Sequence, residues 1–252
     1  MQRKTTVLLV GESCFATMRE FKGLDCFTET NYHEAAESFI AKLTARGYEV
    51  THIPCHLVAR CYPRTLEELQ RYDAVLFSDV GSNSFLLLPE VVKGGSRAVN
   101  LLSLTREYVE AGGGFCMIGG YMTYQGMEGK GKWKDSPLEE ILPVRLQYGD
   151  DRCEVPEGVD LTCVPDSHPV LRGLPALWPY ILGYNKTQAR PEAQVLVHRG
   201  EDPIIAVRQW GKGRTMAYTT DCAPHWSPAA MCEWDGYPQL WDNIVSWLAG
   251  SN

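Results

Sequence analysis

The chain has 252 residues, of which 44% are hydrophobic and 22% charged, a composition that indicates a packed globular protein rather than a disordered one. Its formal charge of −7 disfavours nucleic acid as a partner, because binding to phosphates requires a basic surface. No apolar run reaches the length of a membrane span, and the N-terminus has too few apolar residues for a signal peptide. We therefore expect a cytoplasmic protein with no nucleic-acid and no membrane partner.

The cysteines give no sign of a structural framework. There are nine, scattered along the chain, and none belongs to a C-x-x-C pair. This distribution disfavours both a disulfide framework and a zinc ribbon. A metal site needs at least three ligands, and the spacing of Asp221, His225 and Glu12 matches no metal signature. We therefore predict no metal and no cofactor.

The first part of the chain alternates predicted strands and helices. Residues 5–10 form a continuous apolar run, as expected for a strand buried on both faces. A helix is predicted over residues 31–46, with Asn31 as its N-cap and Glu34 completing a capping box. A second strand over residues 48–53 follows this helix. The order strand, helix, strand predicts a right-handed parallel crossover.

The same alternation continues to residue 118. A short helix capped by Thr65, a buried strand over residues 73–78, a helix over 99–111 and a strand over 115–118 follow in order. A polar loop, residues 79–84, follows the third strand. Repeated units of this kind predict an α/β fold of flavodoxin-like type, which is a doubly wound, mostly parallel sheet with helices on both faces.

The second half of the chain has a different character. Residues 124–191 contain many prolines and short β-like pieces, which indicates a mostly antiparallel insertion. Strands are then predicted over residues 194–198, 203–209 and 214–220, and a closing helix over 238–249. No linker is long enough to separate two free units, so the whole chain is predicted to form a single domain.

The fourth predicted strand ends in an abrupt bend, Gly119-Gly120. In open α/β sheets such a bend lies at the carboxyl edge, where ligands bind, and a nucleophile elbow carries a Ser or Cys at this point. Gly119 occupies that position here and has no side chain. The nearest thiol, Cys116, lies inside the strand, and we expect it to be buried and unreactive.

Four stretches together resemble the class I glutamine amidotransferase-like superfamily: FSDVGSNS, GGGFCMIGGY, SHPVLRGLP and WGKGRTMAYTTDCAPHW. Within it, they are similar to a group of bacterial proteins named as glutamine amidotransferases and to trehalose-utilisation-type proteins. The resemblance covers most of the chain and implies the flavodoxin-like fold. Active members carry a Cys on the elbow, with a His and an acid further along the chain. The matching position here is Gly119, so glutaminase activity through this elbow is not expected.

The loop after the last predicted strand is the most informative polar cluster. Asp221, His225 and Trp226 lie within six residues of one another. An Asp can orient an imidazole, and a His can act as a general base near neutral pH. Asp221 and His225, with Tyr121 assisting, are therefore candidate catalytic residues, and they are expected to be joined by a hydrogen bond. The alternative is that Asp221 caps the turn while His225 packs against Trp226.

Other polar and glycine residues at the predicted strand ends are candidates for ligand binding, because open α/β sheets bind ligands at this edge. They are Glu12, Ser13, Asp79, Gly81, Ser82, Asn83, Gly120, Gln125 and Trp226. Taken singly, most of them are also ordinary turn residues. Their convergence on one crevice favours a pocket for a small polar metabolite.

Three functions are consistent with these patterns. The first is a small-metabolite-binding or assembly module that has the amidotransferase-like fold and lacks glutaminase activity. The second is a hydrolase or lyase that uses Asp221 and His225, and the third is a carbohydrate-related role. The apolar loop at residues 85–88 also predicts a homo-oligomer, because four such residues are hard to place inside a monomer if the loop is exposed.

Overall fold

Strands and helices alternate along the first half of the chain in the structure, a computed structural model that describes residues 3–250. The strands are β1 (Thr6–Gly11), β2 (Cys14–Lys22), β3 (Asp25–His33), β4 (Glu49–Ile53), β5 (Ala74–Ser78), β6 (Gly114–Ile118), β7 (Val144–Arg145), β8 (Arg152–Val159), β9 (Thr162–Cys163), β10 (Ile181–Asn185), β11 (Gln188–Ala189), β12 (Gln194–Arg199), β13 (Asp202–Trp210) and β14 (Gly213–Tyr218). The helices are α1 (Glu37–Ala45), α2 (Val58–Cys61), α3 (Leu66–Leu69), α4 (Asn83–Leu86), α5 (Pro89–Val92), α6 (Leu101–Glu110), α7 (Pro137–Ile141), α8 (Ala229–Cys232) and α9 (Tyr237–Leu248).

An eight-stranded sheet is the centre of the fold, with the strand order β4-β1-β5-β6-β14-β13-β12-β9. The first five strands of this order are mutually parallel, and the last three extend the sheet through antiparallel pairs. The carboxyl ends of β1, β5, β6 and β14 therefore lie side by side at one edge. This arrangement confirms the predicted flavodoxin-like α/β fold.

Side chains of the buried strands alternate between the two faces of the sheet. Both faces are therefore apolar, and helices cover both of them. Leu76 of β5 belongs to the core layer that contains α1 and α9, where the rings of Phe39 and Trp241 meet with their centroids 4.6 Å apart. The next residue, Phe77, belongs to the opposite layer and stacks on Phe85 at 4.5 Å. Each fully buried side chain of this size contributes about 1.5–3 kcal/mol by leaving water.

Side-chain caps fix the starts of several helices. Thr65 caps α3 as predicted, in a capping box with Glu68, and at α7 Ser136 Oγ accepts a hydrogen bond from the N–H of Glu139. Asn100 caps α6 by accepting from two backbone N–H groups. Among residues 3–250, none of the helices combines the length and the apolar character that crossing a bilayer requires.

The prediction of a helix from residue 31 was wrong in its first turn and a half. Asn31 lies in β3, which pairs with β2 over nine residues to form a projecting hairpin, and α1 begins only at Glu37. The predicted capping box is not formed, since Glu34 Oε1 accepts a hydrogen bond from Ser13 Oγ at 2.6 Å instead. Ser13 Oγ in turn accepts from the N–H groups of Ala35 and Ala36, so a residue from the β1 loop holds the segment that leads into α1.

The second half contains the predicted antiparallel pieces. Strand β8 pairs with β10, β7 pairs with β11, and β9 joins the edge of the main sheet. The apolar loop at residues 85–88 is only partly exposed, because Phe85 and Leu88 are fully buried while Leu86 and Leu87 face solvent. Half of the apolar surface that motivated the predicted oligomer contact therefore belongs to the core, and the oligomeric state stays a prediction.

Candidate functional site

The ends of four adjacent strands bring together the acidic residues singled out in the sequence. The register aligns Gly11 of β1 with Ser78 of β5, and Ser78 with Ile118 of β6. The residues that follow these strands, including Glu12 and Asp79, therefore leave the sheet at the same level. Strand β14 is level with β6 as well and leads into the loop that carries Asp221. The result is one polar crevice at the carboxyl edge.

The Gly119-Gly120 bend has no room for a nucleophilic side chain. A Cβ atom built on Gly119 would lie 2.2 Å from the carbonyl oxygen of Thr219, far inside van der Waals contact. The Gly119 N–H also donates to the carbonyl oxygens of Tyr218 and Thr220 at 2.7 and 2.8 Å. A Cβ on Gly120 would lie 2.7 Å from Asp79 Oδ1. The bend is therefore closed to side chains by the backbone of β14 on one side and by Asp79 on the other.

Asp79 occupies the backbone donors of the bend. Its Oδ1 accepts a hydrogen bond from the Met122 N–H at 2.7 Å. Burial raises the pKa of Asp79 above its ordinary value, and the N–H groups of Met122 and Tyr121 lower it by stabilising the carboxylate. In acyl-transfer enzymes, backbone donors at such a position stabilise the developing oxyanion. Here a carboxyl group of the chain itself already bonds to them.

Two residues of the insertion hold the same bend from the other side. Asn185 Oδ1 accepts from the Gly120 N–H at 3.0 Å, and its Nδ2 donates to Asp151 Oδ1 at 2.8 Å. The Asp151 carboxylate accepts from the N–H groups of Gln125 and Gly126. All of these groups are buried, so the bend is fixed by a hydrogen-bonded network rather than left mobile.

Three carboxyl groups, those of buried Glu12 and Asp221 and partly buried Asp79, lie at this edge of the sheet. The pKa of Glu12 is raised to about 7, first by desolvation and then by the charge of Asp79, although the Ser78 hydroxyl, 2.5 Å away, acts to lower it. Burial, followed by the charges of Glu12 and Asp79, raises the pKa of Asp221 well above its ordinary value. Like charges in one low-dielectric site cannot all ionise at neutral pH, so the cluster holds protons that ordinary carboxylates have lost.

Two residues of the cluster have a strained backbone. Glu12 has φ 64° and Asp79 has φ 43°, in the left-handed region that L-residues with side chains rarely adopt. Each such residue costs about 1–3 kcal/mol and persists only where its surroundings hold it. Glu12 is held by its N–H donating to the Ser78 carbonyl at 2.7 Å. Strained, buried acids at the strand ends are the pattern expected of a functional site.

Cys222 adds a thiol to the acid cluster. Its Sγ lies 3.8 Å from Glu12 Oε2 and 3.5 Å from Ser78 Oγ, and burial raises its pKa well above the ordinary value. One donor atom each from Glu12, Asp221 and Cys222 lie within 4.8 Å of one another. Thiolate and carboxylate groups are among the ligands that Zn²⁺ takes. The third donor beside Glu12 and Asp221 is Cys222, whereas His225 was the third donor considered from the sequence. The predicted absence of a metal stays a prediction.

A cavity of about 180 Å³ adjoins the cluster. It is lined by Cys222 and Ala223 from the β14 loop, by Phe39 and Lys42 from α1, and by Tyr237 from α9, among others. Its lining does not include Gly119, Asp79 or His225. Access to the acid cluster from this side therefore passes Cys222 rather than the bend.

His225 does not meet Asp221, so the predicted orienting hydrogen bond is absent. The Asp221 carboxylate accepts from the N–H of Ala223 at 3.1 Å, as in the alternative in which Asp221 caps the turn. His225 is half-exposed, and its Nε2 lies 3.6 Å from Glu154 Oε2. Its ring contacts Tyr121 edge-on, with centroids 4.9 Å apart, and also lies beside Trp226. The acid that faces His225 is thus Glu154 of β8.

Glu154 organises this second cluster. Its Oε1 accepts from the Tyr121 hydroxyl and its Oε2 from the Trp226 indole N–H, both at 3.0 Å. Trp226 itself is fully buried, and a Cβ on Gly183 would lie 2.3 Å from its Nε1. Trp226 therefore has no exposed ring face with which to bind a ligand, and its indole forms part of the wall of the crevice.

Several predicted ligand residues serve the chain itself. Ser13 holds the segment that leads into α1, as described above. Ser82 Oγ donates to the Lys132 carbonyl, and Gln125 Oε1 accepts from the Lys134 N–H, so both anchor the loop that follows the bend. A Cβ on Gly81 would meet the end of the Met122 side chain at 3.2 Å. Asn83 is exposed at the start of α4.

Three residues that organise the crevice were missed from the sequence. Asp151, Glu154 and Asn185 all belong to the segment predicted as an insertion. No motif marks them, and only the pairing of β8 with β10 brings Asn185 opposite Arg152, next to Asp151. The one available signal was that β8 begins at a polar residue, Arg152, and β10 ends at another, Asn185.

The comparisons with known proteins cover nearly the whole chain. The family model described as "Putative glutamine amidotransferase" matches residues 6–250. The cytoplasmic protein STM3548 of Salmonella typhimurium is 38% identical, with a TM-score of 0.92 and coverage of 96% of this chain and 98% of that one. The cytoplasmic protein STM1381 of Salmonella typhimurium LT2 is 35% identical, with a TM-score of 0.92 over 97% and 99% of the two chains. No curated protein matches the chain.

More distant structures share the fold alone. A ThuA-like protein from Parabacteroides merdae ATCC 43184 is 13% identical, with a TM-score of 0.56 over 99% of this chain and 91% of that one. Both Salmonella relatives are described as cytoplasmic proteins, in agreement with the predicted location. The match over residues 6–250 shows that the chain belongs to the glutamine amidotransferase-like family.

Proposed function

We propose that this protein binds a small polar metabolite at the carboxyl edge of its sheet and does not release ammonia from glutamine through the bend. The observation that carries the proposal is the 2.2 Å separation between a Cβ built on Gly119 and the Thr219 carbonyl oxygen. Amide cleavage by this family's chemistry needs a nucleophile at the bend and free donors for the oxyanion. The bend has no space for a nucleophilic side chain, and Asp79 already accepts a hydrogen bond from one of the backbone donors, the Met122 N–H.

The acid cluster supports a binding role and indicates the chemistry of the ligand. Asp79 raises the pKa of Glu12, and Glu12 and Asp79 raise the pKa of Asp221, beyond what burial alone does, so a group that donates hydrogen bonds or carries positive charge is favoured there. Hydroxyl, amine or amidine groups meet this requirement. Such a ligand, or a partner domain that supplies the group, would satisfy carboxyls that the fold alone leaves in an unfavourable environment.

Two assays test the proposal. The first measures ammonia release from glutamine and covalent capture by a glutamine-analogue electrophile, and both are expected to be at background. The second measures the shift in unfolding temperature with a set of small polar metabolites, with Asp221→Asn as the site variant and Glu107→Gln, on the exposed face of α6, as the matched control. A ligand present at a hundred times its Kd adds about 2.7 kcal/mol of stability. Turnover that is lost on labelling a single Cys would overturn the proposal.

A hydrolase or lyase is the second candidate, in a form that differs from the sequence hypothesis. His225 faces Glu154, and Tyr121 donates to the same carboxylate, so these three groups form the exposed set in which an imidazole and a phenol could move protons. If they act in catalysis, Glu154→Gln lowers turnover of the substrate while Asp221→Asn leaves it unchanged. A carbohydrate-related role remains the third candidate, and sugars belong in the same ligand screen.

A further inference from the structure

The hairpin formed by β2 and β3 is exposed along its length. Its strands pair over nine residues each, so the hairpin is about 30 Å long at 3.3 Å per residue. Every residue of β3 is exposed, and β2 has only Cys14 and Glu20 in intermediate positions. An isolated two-stranded hairpin is at best marginally stable in water and needs a further layer against one face.

Contacts with the body hold only the base of the hairpin. The rings of Phe15 and Tyr32 pack edge-on against each other and against His56, with centroids 4.7–5.7 Å apart. Tyr32 and Ser13 both donate to the Glu34 carboxylate. Beyond this base the side chains project into solvent, including Phe21, which is 69% exposed, and the turn residue Leu24.

The two faces of the hairpin differ in chemistry. Residues paired across the strands share a face, so the pairs Phe15–Tyr32, Thr17–Thr30 and Phe21–Cys26 lie together on one of them. We call this surface the aromatic face. Its one charged residue, Arg19, lies over the Phe21 ring at 5.1 Å and donates to Cys26 Sγ. The opposite face also exposes Met18 and Phe27, but it carries the charged residues Glu20, Lys22, Asp25 and Glu29 as well. A surface of aromatic residues and one Arg, without acids, is typical of an interface core.

We propose that the aromatic face binds the aromatic face of a second copy of this chain, related by a two-fold axis. Aromatic residues lie at both ends of the face and small threonines at its middle, so an antiparallel copy places the tip Phe21 of each hairpin against the Phe15–Tyr32 base of the other. Two-fold contacts require this kind of self-complementarity. The aromatic face contributes eight of the eighteen paired residues of each hairpin, so this contact is smaller than a standard interface of 20 or so residues per side.

Charge favours this location for self-association. The chain carries a formal charge of −7, so most of its surface repels a second copy. The hairpin contains two bases, Arg19 and Lys22, against three acids, Glu20, Asp25 and Glu29, and it therefore carries little of that negative charge. None of those acids lies on the aromatic face.

The test is the molar mass in solution, measured by sedimentation velocity and light scattering across the micromolar range with a reductant that keeps Cys26 free. Wild type is expected to be a dimer. Thr17→Glu with Phe21→Glu places two acids on the aromatic face and is expected to raise the dimer Kd more than about thirty-fold. Ala16→Glu with Met18→Glu places two acids on the opposite face of the same strand and is expected to leave the Kd unchanged. All four side chains are exposed, so circular dichroism should show the body folded in both variants.

A monomeric wild type would overturn the proposal, and so would a dimer that survives the aromatic-face variant. Dissociation by the opposite-face variant would also overturn it, because the contact would then lie on the other surface. Loss of the dimer on Leu87→Glu alone would assign the contact to the loop at residues 85–88 instead.

Discussion

Replacement of Glu12 by Gln is expected to stabilise the protein at neutral and alkaline pH. Gln has nearly the shape of the protonated acid, and its amide oxygen can still accept the hydrogen bond that Ser78 Oγ donates to Glu12 at 2.5 Å. What the substitution removes is the negative charge, which burial and Asp79 both disfavour. The unfolded chain does not disfavour that charge, so wild type loses stability when the carboxyl ionises.

The sign and the magnitude follow from the two pKa values. The pKa of Glu12 is about 7 in the folded state against 4.5 for an unperturbed group. Between these values the folded state holds a proton that the unfolded state has lost, so stability is complete below pH 4.5 and falls until pH has risen through about 7. At about 1.4 kcal/mol per unit of pKa difference, wild type loses roughly 3 kcal/mol. For a chain of this size that is roughly 6–12 °C in unfolding temperature.

Urea unfolding at about pH 4 and about pH 8 measures the effect. Glu12→Gln should match wild type at the lower pH and exceed it by about 3 kcal/mol at the higher one. Glu107→Gln, an exposed change of the same type, should behave as wild type at both. An equal loss of stability by wild type and Glu12→Gln between the two pH values would refute the reasoning, because the pH dependence would then arise elsewhere.

Three further results are expected. Gly119→Cys should give no glutaminase activity and should destabilise the fold by at least about 1–3 kcal/mol through overpacking. The control Gly81→Ala should change the unfolding temperature little, because the added methyl group would meet the flexible end of a side chain. A stable Gly119→Cys protein that releases ammonia would contradict this expectation. Asn100→Ala removes the cap of α6 and should cost about 1 kcal/mol in denaturant unfolding; an unchanged midpoint would show that the cap contributes nothing. Brief treatment with iodoacetamide should modify exposed Cys26 and spare buried Cys222, and early labelling of Cys222 by mass spectrometry would show that the cluster opens.

Much of the fold could be predicted from the sequence because its central strands are buried on both faces. Unbroken apolar runs such as residues 74–77 have few alternatives to a parallel strand, and caps such as Thr65 mark helix starts by local chemistry. The hairpin was missed for the opposite reason. It packs on little, so burial leaves no apolar pattern in its sequence, and Asn31 with Glu34 imitates a capping box whose acid in fact bonds to Ser13.

The site divides in the same way. Glu12, Asp79 and Asp221 lie at the strand ends as predicted, since Glu12 and Asp79 directly follow β1 and β5 and Asp221 follows soon after the end of β14. The partner of His225 was not, because Asp221 is near in sequence while Glu154 is near in space. Proximity along the chain does not decide which way a side chain points after a bend. Here the pairing of strands within the insertion places Glu154 beside His225.

The carboxyl of Asp79 on the N–H of Met122 has a consequence for selectivity. At an unoccupied bend, the same donors would attract carboxylates and phosphates, the commonest handles of metabolic intermediates. In the proposed binding role, the Asp79 carboxyl would compete with such groups for these donors, so a neutral or cationic ligand would be favoured over one held by its carboxylate. Glutamine presented to the bend through its own carboxylate would then be disfavoured.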